Sequence, residues 1–223
     1  MEARIAPADA FVKVRQETCR SAACHEAGGP QRRRGSGRAG YSPRAPALPT
    51  TVLYTERLRL DPLVPSDAPE FLALFRDSDV RRFLLDDKLV EPPWVVHEIE
   101  GSRERFADGG VGLFAARLRG SQGALVGVAG LRPYHANELQ ILYAVDPSMG
   151  GRGLASEMVA AVLDYCFDIA DLESVRATVD APNQASLKLL DRLGFRLVGR
   201  RPTARFELLV FDVDAASWRR REE

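Results

Sequence analysis

The stretch from Glu138 to Ala155, ELQILYAVDPSMGGRGLA, constrains the fold of this chain more than any other, because it joins an apolar run to a glycine-rich turn and a helix start. Leu139 to Val145 is apolar apart from Gln140 and rich in strand formers, and Asp146-Pro147 stops it, so it reads as a buried strand. Gly150, Gly151 and Gly153 follow at once. Beyond Ala155, Met158, Val159, Val162, Leu163 and Cys166 recur at helical spacing. Glycines lacking Cβ let several backbone N–H groups point into one hollow, and the positive end of the helix dipole lies behind it. That arrangement suits a phosphate. A plain strand-to-helix connection is the competing reading of the same letters.

The two commonest phosphate loops do not fit. A Walker loop needs a Lys directly after its last glycine, and none follows a glycine here. The dinucleotide fingerprint needs a third glycine, whereas Gly151-Arg152-Gly153 continues into Leu154, Ala155 and Ser156. Charge narrows the ligand further. The first 50 residues hold nine Lys/Arg against four Asp/Glu, leaving 22 against 27 in the remainder. A body without basic excess argues against a nucleic-acid partner and leaves a local site for a small anion.

The chain of 223 residues divides into a tail and one domain. Residues 1–50 contain GGPQRRRGSGRAGYSPRAPALP, too poor in large apolar residues to offset ordering entropy, and are expected to be a disordered basic tail. An arm binding RNA or a membrane surface through Arg32, Arg33 and Arg34 is the functional alternative. Cys19, Cys24 and His25 supply three ligand groups without a fourth, so no metal is expected, and Cys166 lies on an apolar helix face. Scattered cysteines and the lack of a long apolar run predict a cytoplasmic protein with no membrane partner.

Order is expected from Thr51 to Glu223. TVLYTERLRLDPLV places Val52, Tyr54, Leu58 and Leu60 in alternation, and Pro65-Ser66-Asp67 starts a helix carrying Phe71, Leu72, Leu74 and Phe75. Asp79 to Leu85 reads as a turn and Pro92 to Phe106 as a helix. Val111 to Arg119 and Ala124 to Leu131 read as a hairpin over Gly120-Ser121-Gln122-Gly123, with Gly127 and Gly130 marking a bulge or a close approach. Ser174 to Val179 is a strand, Asn183 to Leu193 a helix ended by Gly194, and Phe195 to Val198 and Phe206 to Val213 are closing strands.

In this order, the opening Thr55-Glu56-Arg57-Leu58-Arg59-Leu60, the segment LYAVDPSMGGRGLASE, and Asn183-x-x-Ser186 followed by Leu193-Gly194-Phe195 resemble the GNAT superfamily of acyl-CoA-dependent N-acyltransferases, particularly the branch that acetylates ribosomal-protein N-termini (RimJ/RimL-like). The resemblance covers about Tyr54 to Phe211. It implies an α/β (α+β) fold, a mixed and mostly antiparallel sheet flanked by helices, using acetyl-CoA as acyl donor. The backbone of Gly150, Gly151, Arg152, Gly153, Leu154 and Ala155 would hold the pyrophosphate. Leu142, Tyr143, Ala144 and Val145 would pair by main chain with the pantetheine, as an added strand does. Asn183 would lie by the pantetheine or adenine arm, or act as a plain helix cap.

Direct transfer to a primary amine needs a group to accept a proton from the ammonium and another to return one to the thiolate. The positions where relatives carry Glu and Tyr hold Thr178 and Leu190 here. Glu138 is therefore the candidate base, with His135 and Asp180 in reserve, and Ser186 the candidate for the thiolate. The implied acceptor is a protein N-terminal α-amine, then a small-molecule amine such as an antibiotic or polyamine; a non-catalytic acyl-CoA-binding module is the rival from another class. A homodimer is compatible with this reading.

Overall fold

The computed structural model describes residues 51–120, 123–135 and 138–221. The expected tail over residues 1–50, the candidate ligands Cys19, Cys24 and His25, and the turn residues Ser121 and Gln122 lie outside the described residues.

Among the described residues, eight strands form one sheet in the order β1-β2-β3-β4-β5-β6-β8-β7. They are β1 (Leu53–Tyr54), β2 (Leu58–Pro62), β3 (Leu113–Leu118), β4 (Gly127–His135), β5 (Glu138–Val145), β6 (Ser174–Asp180), β7 (Arg196–Pro202) and β8 (Glu207–Asp214). Six neighbouring pairs are antiparallel, and β5 with β6 is parallel. Parallel neighbours need a crossover, here the helix α4 (Leu154–Asp168). The remaining helices are α1 (Ala68–Arg76), the short α2 (Ser78–Arg81), α3 (Pro92–Gly109), α5 (Gln184–Arg192) and α6 (Ala215–Arg219). No helix among the described residues is long and apolar enough to cross a membrane.

Both faces of the sheet are covered, and strand alternation decides which side chain goes where. Leu60, Phe114, Ile141 and Val175 pack with Met158, Val162, Leu163 and Cys166 of α4. Leu113, Ala115, Val128, Leu142 and Ala144 face the opposite way, against Phe71 and Phe75 of α1 and Val95 and Ile99 of α3. Fully burying each large side chain is worth about 1.5–3 kcal/mol, so both layers contribute substantially. Burial pushes the Cys166 thiol pKa up, as befits an inert core residue.

Several boundaries differ from the sequence reading for local reasons. Leu53, rather than Val52 or Tyr54, is the fully buried residue of the opening strand, because the chain turns where Thr55 N–H donates to the Leu58 carbonyl (2.9 Å). Asp79 to Leu85, expected as a turn, contains the end of α2, capped by Asp77, whose side chain accepts from the Asp79 and Val80 amides. β4 starts at Gly127 and continues to His135, past a register shift between Pro133 and His135. A Cβ on Gly127 would fall 2.4 Å from the Ala144 carbonyl oxygen, so this glycine serves the approach of the neighbouring strand.

Candidate functional site

β5 pairs along its length with β4, from His135 opposite Glu138 to Gly127 opposite Val145. Its other edge meets β6 at a single register position, Gln140 opposite Arg176. From Ile141 onward the two parallel strands diverge. A cavity of about 490 Å³ opens in the gap, lined by Gln140 to Val145, Thr178 to Asp180, Asn183 and Ser186, with Ala155 of α4. The strand that the sequence singles out thus presents main-chain groups to a cavity.

The turn after β5 is built to present backbone. Asp146 accepts from the Ser148 amide (2.8 Å) and Pro147–Met149 forms a single 3-10 turn. Gly151 and Gly153 then adopt left-handed conformations (φ 73° and 76°), which cost a side-chain-bearing residue about 1–2 kcal/mol. Gly153 is the N-cap of α4, and the Glu157 amide donates to its carbonyl (3.1 Å). The amides ahead of Glu157 at this helix start have no intrahelical acceptor and are available to an anion. The glycine hollow and the free β5 edge fit a ligand with a phosphate end and an amide-bearing arm, which are the features of coenzyme A.

Two residues from the turn between β1 and β2 lock this turn. Arg57 donates from Nη1 to the Arg152 carbonyl (2.8 Å) and from Nε to Glu157 Oε2 (2.7 Å), while its own amide donates to Glu157 Oε1 (2.8 Å). Thr55 Oγ1 also donates to Glu157. Burial raises the Glu157 carboxyl, but the hydrogen bonds from Thr55 and Arg57 and the Arg57 charge outweigh it and hold the pKa below the ordinary value. Arg57 has no function assigned to it by the sequence beyond its family pattern; Glu157 lies 100 residues away, and spacing along the chain gives no signal of such a pair. Arg152 itself is exposed, and Leu154 is buried in the core.

The expected acid–base residues separate. Glu138 stands at the start of β5, half exposed, ion-paired with Arg176, and is not among the cavity-lining residues. Arg176 is held in turn by Asp212, its Nε and Nη2 donating at 2.8 and 2.9 Å. Asp180 does line the cavity, and its carboxyl pKa is raised by burial and by nearby Asp86, against the pull of Arg205. His135 ends β4. Thr178, at the position where the resemblance implies a Glu, donates to Gln140 Oε1 (2.7 Å) and so bridges β5 and β6 at the base of the cleft. Leu190, at the position where it implies a Tyr, is fully buried in the α4-side core.

Asn183 and Ser186 both line the cavity, and the Asn183 side chain accepts from the Ser186 amide (3.1 Å) as the cap of α5. Capping and cavity wall coincide in Asn183. The Tyr143 hydroxyl is buried and without a hydrogen-bond partner of good geometry. Burial pushes its pKa up to about 12, with the Ser186 side chain acting in the opposite direction. Tyr143 was expected to contribute main chain only, yet its phenol and Ser186 meet in the wall of the same cavity.

A further wall comes from the segment after α2, where Leu85, Asp86 and Asp87 are left-handed in succession (φ 52°, 56° and 62°). Arg81 Nη1 donates to the Asp87 carbonyl (3.1 Å), and Arg205, between β7 and β8, donates to the Arg82 carbonyl (3.0 Å) and pairs with Asp87 (3.2 Å). The strap brings Asp86 to the cavity, and α2 brings Asp79. No glycine marks this turn, so nothing in the letters signals it.

Comparison with known proteins agrees with this geometry. The family model described as Acetyltransferase (GNAT) domain matches residues 57–196. A protein of Bacillus licheniformis named as the uncharacterized N-acetyltransferase p20 is 26% identical over 150 residues, covering 66% of this chain and 84% of that protein. Among solved structures, the ribosomal L7/L12 α-N-protein acetyltransferase RimL in complex with coenzyme A superposes with a TM-score of 0.62 at 17% identity, over 73% of this chain and 96% of that one. The spermidine N-acetyltransferase of Vibrio cholerae in complex with coenzyme A and spermine gives 0.60 at 18% identity, over 72% and 97%. A family match over more than half the sequence, the mixed sheet with its single parallel crossover, and the glycine turn at the open strand edge together make this chain a member of the GNAT acetyltransferase family.

Proposed function

We propose that the protein transfers an acetyl group from acetyl-CoA to a primary amine by direct attack on the thioester. The observation that carries this reading is the one-sided pairing of β5 from Ile141 to Val145, an open edge that runs into the Gly150 to Ala155 turn beside the cavity. Main-chain groups of Leu142 to Val145 pair with the pantetheine amides, and the amides from Gly151 to Ala155 hold the pyrophosphate.

On the acceptor side, Asp180 takes the proton of the incoming ammonium, directly or through water. Its pKa, raised by burial and by Asp86, makes it a better base than an ordinary carboxylate. Glu138, the base expected from the sequence, pairs with Arg176 and does not line the cavity, whereas Asp180 does. The nitrogen lone pair attacks the carbonyl carbon, the carbon–sulfur bond breaks, and the second amine proton passes to solvent. Ser186 and Tyr143 donate to the departing thiolate. Asn183 places Ser186 by capping its helix.

A protein N-terminal α-amine is the acceptor that the sequence pattern puts first, and RimL, named for that substrate class, shares the fold. A small-molecule amine is the second reading, favoured by the strap from Leu85 to Asp87 that walls the cavity. Thiol release from acetyl-CoA over a panel of peptides and small amines tests the function. Amine-dependent release that yields the N-acetylated amine is expected. Tight acetyl-CoA binding without turnover on any amine would replace the enzyme by a binding module.

A further inference from the structure

The shielded arginines on the α1/α3 side of the sheet fall into two groups. The Arg117 side chain, 21% exposed, has Asp67 at 3.0 Å and Glu70 at 2.7 Å. The Arg176 side chain, 24% exposed, has Asp212 at 2.8 Å and also Glu138. Each guanidinium has its charge answered by carboxylates within hydrogen-bond reach. Arg132, on β4 and 20% exposed, is different: the nearest ion-pair partner among the described residues, Glu98, is 3.8 Å away, and the Arg132 Nε is buried with no hydrogen-bond partner. Arg105 on α3 shows the same deficit, with Nε and Nη2 buried and unpartnered. Its pKa is lowered by burial and by the Arg132 charge, against Glu98 and Glu104.

Two guanidiniums therefore share one shielded carboxylate, which leaves an excess positive charge where water is scarce. A shielded charge without a hydrogen-bonded counter-charge is costly, and such sites concentrate where a ligand completes them. Arg132 lines the cavity. It sits opposite Gln140 and on the same sheet face as Leu142, beside the point where β5 parts from β6. Asp79, Asp86 and Asp180 line the same cavity. The acceptor chamber thus offers carboxylates to a cation and an unanswered guanidinium to an anion.

We propose that Arg132, backed by Arg105, binds an anionic group of the acceptor, so that the acceptor is an amino-acid-like compound carrying a carboxylate as well as the amine rather than a polyamine. The inference rests on the amine-acetylation reading above and narrows it. A planar guanidinium fork matches a carboxylate bidentately, while a carboxamide in the same place leaves the charge unanswered.

The test is a calorimetric titration of the CoA-loaded protein with N-acetyl amino acids and with their carboxamides, taken as matched pairs, in wild type and in Arg132→Gln and Arg132→Lys. The expected result is binding of at least one acid about tenfold or more tighter than its carboxamide, a preference lost in Arg132→Gln and partly kept in Arg132→Lys. Equal binding of the two series, binding of neither, or a preference that survives Arg132→Gln would overturn the proposal. Selective binding of the acid without acetyl transfer to the parent amino acid would strike the acetyl-transfer reading and leave the anion site standing.

Discussion

The glycine turn beside the cavity and the acceptor half of the cavity are built on different physical plans. The turn works through main chain, and its nearby charges are answered: Arg57 is held by Glu157 and the Arg152 carbonyl, and Glu157 by Thr55 and Arg57. The acceptor half works through side chains, and its charges are left open, with Asp180 raised by burial and Arg132 lacking a hydrogen-bonded carboxylate among the described residues. A closed network fixes geometry for a ligand that is always the same. Open charges select a partner and prepare one group to accept a proton.

The comparison can be broken at either half. The largest effect is expected from Gly153→Glu, which places an acidic side chain on a left-handed residue whose Cβ would lie 3.6 Å from Arg57 Nη2. Acetyl-CoA binding should weaken by about 100-fold or more by calorimetry, since the strained backbone and the added anion both oppose a phosphate in the hollow. Unchanged affinity would remove the turn as the pyrophosphate site.

Asp180→Asn comes next, with acetyl-CoA binding kept and kcat/KM lowered by about 10²–10³ as a general base is lost. A base acts when deprotonated, so the wild-type rate should rise with pH through the Asp180 pKa, which lies above the usual carboxylate value. That acid limb should vanish in the variant.

A smaller effect, on stability, is expected from Glu157→Gln, about 1–2 kcal/mol by denaturant unfolding at neutral pH after allowance for solvent screening. The folded-state pKa of Glu157 is lowered, so its contribution is complete above the unfolded value of about 4.3 and is lost as pH falls through the folded one. The gap between wild type and variant should therefore close in acid. A gap constant with pH would mean that the carboxylate is not what locks the turn.

Glu138→Gln should do least, changing the rate by about threefold or less, because its half-exposed pair with Arg176 is a weak contributor and Asp212 keeps the arginine in place. If the acid limb disappears here and persists in Asp180→Asn, Glu138 is the base.

The main-chain half was legible from the letters for a physical reason. Backbone that must be left-handed or closely approached selects glycine, and a buried strand selects β-branched and apolar residues, so Leu139 to Ala155 announces itself. The departures from the family pattern are also intelligible in space: Thr178 holds Gln140 across the cleft, and Leu190 fills the core that α5 shares with α4. Side-chain pairings left weaker traces. Arg57 and Glu157 meet across 100 residues, and the left-handed turn from Leu85 to Asp87 uses no glycine. The strand expected over Phe195 to Val198 runs on through Arg200 and Arg201 to Pro202, past its apolar run. Arg132 lies one residue past the expected end of its strand at Leu131; only the longer β4 puts it in line with Val128 on the covered α3 side of the sheet.

The most direct measurement is a crystal structure of the protein with coenzyme A bound. The expected result is pantetheine amides hydrogen-bonded to the main chain of β5 between Leu142 and Val145, with the pyrophosphate against the amides of Gly151 to Ala155 and the thiol beside Tyr143 and Ser186. Coenzyme A lying off the open edge of β5, with the glycine turn untouched, would contradict it.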